Sequence, residues 1–188
     1  MLSAQVRVDL RVLLRLGHNL DRRPPVLRGA TIGEFLIAAL LKIRDRCGRL
    51  APLLPNRAQA AFERARGRCN IVLKARQLGI TTWVAARFFI QTITRPGVLS
   101  VQVAHDQRSA EAIFRIVPRF LAHLPERLRT GALRTSRANV RQLEFSLLDS
   151  EYRVETAADP QAAVSAYLAG TLKSVAYQCE HSGGACHH

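Results

Sequence analysis

The residues best suited to chemistry lie at positions 70–82, NIVLKARQLGITT. An apolar run, Ile71-Val72-Leu73, leads into a polar loop that closes on Gly79, and Thr81 and Thr82 open an amphipathic segment. A strand, a tight loop and a helix start make a grip for a phosphate chain. Backbone N–H groups point inward, and the helix end favours negative charge. The usual loop pattern is G-x-x-x-x-G-K-[ST]. Aligned on Gly79 and Thr81, this chain has Lys74 where the first glycine belongs and Ile80 where the lysine belongs. A lysine at either end of so short a loop can reach the same β/γ oxygens. Gly79 permits close backbone approach, and the Thr81 hydroxyl suits Mg2+ beside a triphosphate. Lys74 is one of three lysines among 28 basic residues, so a compact charge stands out here. The loop pattern alone leaves a second possibility open, an ordinary strand–turn–helix with a chance Gly-x-Thr.

The elements that would position this loop follow from caps and periods. Thr31 with Glu34 three residues on forms a capping box, and a helix is expected over 31–46. A loop over 47–56 carries Pro52 and Pro55, and a second helix is expected over 57–66 with Gln59 and Phe62. After the strand at 70–73, a helix over 81–94 has Val84, Ala85, Phe88 and Phe89 on one face. Residues 98–104 read as a buried strand, followed by one helix over 108–123. Residues 140–148 and 152–157 read as two adjacent strands about a turn at Asp149-Ser150. No dependable pattern is visible past Asp159-Pro160. Strand–helix–strand order argues for an α/β fold with parallel connectivity.

The chain has 188 residues, 48% of them hydrophobic, enough for a core. Its formal charge is +14, and it is uneven: 16 of the 28 basic but only 5 of the 14 acidic residues precede position 81. That imbalance points to a polyanionic partner, nucleic acid first, or else to a solvated arginine-rich surface. The longest apolar run, residues 35–41, is too short to span a bilayer. Arg7, Asp9, Arg11 and Arg15 interrupt any leader-like stretch, so a cytoplasmic protein with free thiols at Cys47, Cys69, Cys179 and Cys186 is expected.

Three separated segments, PNRAQAAFERARGRCNIVLKARQLGITTWVAA, VQVAHDQRSAEAIFRIVPRFLAHLP and RTSRANVRQLEFSLLDSEYRVETAA, occur in order between about residues 50 and 158. Together they resemble the N-terminal ATPase region of the large terminase subunit of tailed bacteriophages, the motor that packages DNA. The resemblance implies a P-loop NTPase-like, mostly parallel sheet flanked by helices, with ATP and Mg2+ as cofactors. Double-stranded DNA, the small terminase subunit and the portal protein would be partners, in the bacterial host cytoplasm and away from membranes. Gln59 would read the adenine edge with Phe62 beside it. Lys74 would bind phosphate, Arg76 would act as a cis arginine finger on the γ-phosphate, and Thr81 would meet the magnesium. Ala75, Gln77, Gly79 and Thr82 would line the loop. His105 and Asp106 would end the second strand, where ligands of open sheets collect.

The resemblance also divides the chain into a basic helical segment (residues 1–50), the ATPase-like domain (51–160) and a divergent, poorly ordered tail (161–188). Hydrolysis in this family needs an acidic pair at a strand end, and no apolar strand here ends in Asp-Glu. The expectation is therefore a sheet incomplete at its C-terminus, with ATP binding retained and hydrolysis and DNA cleavage impaired. The alternative is a basic DNA-binding or packaging-accessory protein without ATPase activity.

Overall fold

The computed structural model describes residues 3–45, 47–67, 70, 72, 78–104, 106–139 and 141–156, and the backbone of 172–178. Its elements in chain order are α1 (Ala4–Gly17), α2 (Ile32–Leu40), β1 (Lys42–Arg44), β2 (Leu50–Pro52), α3 (Arg57–Ala65), α4 (Ile80–Thr94), β3 (Leu99–Ala104), α5 (Gln107–Phe114), α6 (Ile116–Ala122), α7 (Glu126–Thr130), β4 (Arg137–Ala138), β5 (Gln142–Phe145), β6 (Ser150–Thr156) and β7 (Leu172–Gln178). The fold is mixed α/β, with helices flanking a mixed sheet of order β4-β5-β6-β3-β7.

β3 is central and nearly all its residues are buried, as suits a strand that is apolar but for Ser100 and Gln102. It pairs in parallel with β6 and with β7. β6 alternates instead: Ser150, Tyr152 and Val154 are buried while Glu151 and Arg153 are half-exposed. β5 returns antiparallel to β6 through a turn ending at Asp149, whose φ is 49°. Two buried polar side chains on β3 are satisfied, Gln102 within the sheet and Ser100 against α4. Tyr152 donates its hydroxyl to Gln102 Oε1, and burial pushes the Tyr152 phenol pKa up. Ser100 Oγ lies 2.9 Å from Thr92 Oγ1, and Ser150 Oγ donates to the Thr92 carbonyl at 2.7 Å. These two contacts lock the last turn of α4 to the amino ends of β3 and β6.

Helix starts agree with expectation and several ends do not. Thr31 and Glu34 form the reciprocal capping box. α2 stops at Leu40 rather than running to 46, because Leu41 is extended, fully buried and accepts from the Leu53 N–H at 2.9 Å. The chain then forms the β1–β2 hairpin in place of a helix end and a loop. The single helix expected over 108–123 is two. Pro118 has no N–H to give the carbonyl four residues back, so the helix breaks at Arg115 and restarts with proline in its first turn. The expected strand over 70–73 is absent at its two described residues: Asn70 and Val72 are exposed and belong to no strand. Asn70 instead closes a turn with Gly67, accepting from its N–H at 2.7 Å. β7 had no legible pattern in the sequence, yet it pairs along β3.

The N-terminal helices share the core of the sheet layer. Leu13, Leu20, Leu36 and Ile37 join Trp83, Phe89, Phe120, Phe145 and Tyr152 in one cluster. α1 is held at its end by close backbone approach: a Cβ on Gly17 would stand 2.0 Å from the Thr94 carbonyl oxygen. Arg95 Nε donates to the Gly17 carbonyl at 2.8 Å. Alanine is the better helix former, but the clash outweighs that gain. Gly17→Ala is expected to destabilise the fold by about 1–3 kcal/mol, measured by urea unfolding; an unchanged midpoint would mean that α1 does not dock this tightly.

Candidate functional site

The local sequence explains how the start of α4 is placed. Gly79 is its N-cap, with φ 73°, a left-handed conformation that favours glycine. Space makes a second demand, since a Cβ there would come within 2.7 Å of Gln59 Nε2. Gln59 and Asn56 belong to α3. Asn56 Oδ1 accepts from the Gln59 N–H at 2.9 Å, and Gln59 Oε1 accepts from the Asn56 N–H at 2.8 Å, a reciprocal capping box. The same two amides reach outward with their other ends. Asn56 Nδ2 donates to the Leu78 carbonyl at 3.1 Å, and Gln59 Nε2 donates to the Gly79 carbonyl at 2.8 Å. One cap thus terminates α3 and clamps the turn that opens α4.

A buried ionic group repeats the attachment further along the helices. The Glu63 side chain has no exposed surface. It accepts from Trp83 Nε1 at 3.0 Å, from Arg87 at 2.8 Å and from Arg66 Nε at 2.9 Å. Arg87 also donates to Asp21 at 2.8 Å, and Arg66 donates to the same carboxylate. Two acids and two guanidinium groups balance. Burial pulls the Asp21 carboxyl up, but the hydrogen bonds and charges of Arg66 and Arg87 outweigh it and hold it below its ordinary value. The Arg66 pKa is raised: burial lowers it, and Glu63 and Asp21 more than compensate. Gly33 leaves the room that Arg87 occupies, since a Cβ there would lie 2.6 Å from the guanidinium.

The orientation of α4 locates its start. α4 has 15 residues and so rises about 22 Å. β3 has 6 residues and runs back about 20 Å. Their junction is fixed by the Thr92–Ser100 contact, so the opening turn of α4 lies toward the carboxyl ends of β3 and β6. That is the side of an open sheet where ligands collect. Asp106 sits at the same end and caps α5, accepting from the Ser109 N–H at 2.7 Å.

Among the expected site residues, the structure brings Gln59, Gly79, Thr81 and Thr82 together at this turn, with both threonines half-buried in the first turn of α4. Lys74, Ala75, Arg76 and Gln77 lie outside the described residues, as does His105. Gln59 is only 4% exposed and already uses its oxygen and one amide hydrogen inside the fold. Reading an adenine edge would require it to release Gly79. Phe62 is half-buried on the same helix. Asn56 and Glu63 were missed by sequence reasoning. The Asn-x-x-Gln spacing of a cap signals the first; nothing local signals the second.

No family model matches the chain, and no curated protein matches it. Among the described residues no cluster of three or more His, Cys, Asp or Glu side chains could hold a metal ion. None of the described helices is long and apolar enough to cross a membrane.

Two outcomes are expected. Gln59→Ala leaves the Gly79 carbonyl and the Asn56 N–H without partners and should cost about 1–3 kcal/mol, with faster amide exchange at residues 78–82. Unchanged exchange there would refute the clamp. The Asp21 carboxyl is held below its ordinary value in the fold, so the stability it contributes is present above its unfolded value and is lost as pH falls through the folded one. Between roughly pH 5 and pH 2, wild-type stability should fall more steeply than that of Asp21→Asn. Parallel urea-midpoint curves would show that this carboxylate carries no linkage.

Proposed function

We propose that this chain binds Mg-ATP and represents the ATPase portion of a DNA-packaging motor of the large-terminase class, with a P-loop-like site at the start of α4. The observation that carries this is the junction at Gly79: a left-handed glycine N-cap opening a 15-residue helix with Thr81 and Thr82 in its first turn. In the sequence it directly follows the segment that bears Lys74 and Arg76. A helix start of this kind supplies N–H donors and a favourable dipole for phosphate oxygens. Thr81 supplies the hydroxyl type that accompanies magnesium. Bound ATP would bring its own triphosphate charge. Lys74 would neutralise it from the front of the loop, and Arg76 would meet the γ-phosphate. The phosphate end of the nucleotide fits the described residues, whereas Gln59 as observed does not present its amide to a base.

Binding rather than turnover is the activity proposed. No strand in the sequence ends in the Asp-Glu pair that water activation requires. A second possibility, a basic DNA-binding accessory protein without nucleotide, is favoured by one observation. The described residues Asn70 and Val72 ahead of the loop form no strand.

Thermal shift separates the two. Saturating Mg-ATP, at roughly a hundred times its Kd, should stabilise the fold by about 2.7 kcal/mol, and Lys74→Ala should abolish most of that shift. Absence of any shift at millimolar Mg-ATP would remove the nucleotide reading and leave the accessory one.

A further inference from the structure

The distribution of charge on the folded chain is more informative than its total. Every acidic residue before position 81 has a hydrogen-bond partner within the fold, Asp21 and Asp45 at its surface and Asp9 and Glu63 buried. Asp9 accepts from Gln5 at 3.1 Å and from Arg127 at 2.7 Å. Asp21 and Glu63 hold Arg66 and Arg87. Glu34 caps α2, accepting from the Thr31 N–H at 2.7 Å. Asp45 accepts from the Cys47 and Arg49 N–H groups at 2.8 Å. The basic residues of α1 lie at its surface. Arg7, Arg11 and Arg15 are all exposed, while the helix's one acid, Asp9, is turned to the buried side and only 4% exposed.

Helical geometry lines these arginines up. Spaced by four residues, they lie on one face about 6 Å apart along the axis. The stripe of about 12 Å spans roughly three to four phosphates of one duplex strand at about 3.4 Å each. The helix that carries them is moored rather than free. Gly17 packs against the Thr94 backbone, Arg95 caps the helix end, and Arg127 grips Asp9. The positive face is therefore organised before any ligand arrives, which lowers the ordering cost of binding.

We propose that the outer face of α1 is a docking surface for the phosphate backbone of double-stranded nucleic acid, with Arg7, Arg11 and Arg15 as its contacts. Arginine suits this task through its planar, bidentate donor fork. The exposed arc of α1 carries no aromatic side chain on which unstacked bases would lie, so the duplex backbone is favoured over a single strand. Its exposed apolar residues are Val8 and Val12. It has none of the Trp, Phe or Leu that anchor a helix in a lipid interface, because the leucines of α1 face the core. The proposal builds on the DNA-associated part of the function above and uses no residue of the nucleotide loop.

The test is fluorescence anisotropy with a random-sequence DNA duplex of about 30 base pairs, titrated between roughly 50 and 200 mM salt. The triple variant R7A/R11A/R15A should lose at least about tenfold in affinity at low salt. The slope of log K against log salt should become shallower by about 2–3. An equal-charge control, R64A/R108A/R115A, removes three exposed arginines elsewhere and should lose far less. R11E/R15E should bind more weakly still, with far-UV circular dichroism unchanged. The proposal is overturned if the triple variant binds like the control, or if wild type does not bind duplex. It is also overturned if wild type prefers phosphatidylserine vesicles and the triple variant loses vesicle binding instead. The Mg-ATP thermal shift, read on the same samples, reports separately. Its absence in wild type removes the nucleotide site and leaves this surface standing; its persistence in a triple variant with unaltered DNA affinity does the reverse.

Discussion

A carboxylate removed from water must be met by donors, and Glu63 is the place where this chain accepts that constraint. Its side chain is inaccessible, and an isolated buried charge is far too costly to persist. One donor, Arg66, comes from its own helix. The other two, Trp83 and Arg87, come from α4. α3 and α4 therefore cannot part without stranding a charge, and the loss of a single partner from such a group typically costs about 3–5 kcal/mol. Through Arg87 the same group reaches Asp21, which ties the segment between α1 and α2 into the arrangement. Its main consequence is geometric, since only one placement of the two helices satisfies every donor.

That placement determines what the start of α4 can do. Toward its opening turn, α3 clamps the carbonyls of Leu78 and Gly79 through Asn56 and Gln59. At the far end, Thr92 is joined to β3 and β6 through Ser100 and Ser150. The helix is located at its opening, its middle and its close, and its amino terminus is held toward the carboxyl ends of the parallel strands. The helix start itself is firmly held. Gln59 shows how closely holding that start and a ligand-reading role compete, because its amide is the clamp.

The fold also sorts charge. Acids in the first part of the chain serve as caps or as partners of arginine, and the arginines of α1 remain on the surface. The net charge of +14 is thus partly segregated: internal groups are close to neutral, while α1 presents a face without an exposed acid. Long-range attraction of polyanions follows from that separation more than from the total.

Much of the local structure was legible in the sequence because it is governed by contacts within a few residues. Thr31 with Glu34, the glycine at position 79, the alternation in β6 and the run of β3, apolar but for Ser100 and Gln102, each announce themselves within a turn or two. The break at Arg115 has a local cause too, Pro118, although the sequence pattern predicts one helix there. Tertiary structure decided the rest. Leu41 became extended because a buried position and a bond to Leu53 outweighed its helical neighbourhood. β7 became a strand by pairing with β3, some seventy residues away. Glu63 was one unremarkable acid among five in the first 80 residues. It gained its meaning only when α4 delivered Trp83 and Arg87 to it, because the energy of a buried charge is set by neighbours distant in the chain.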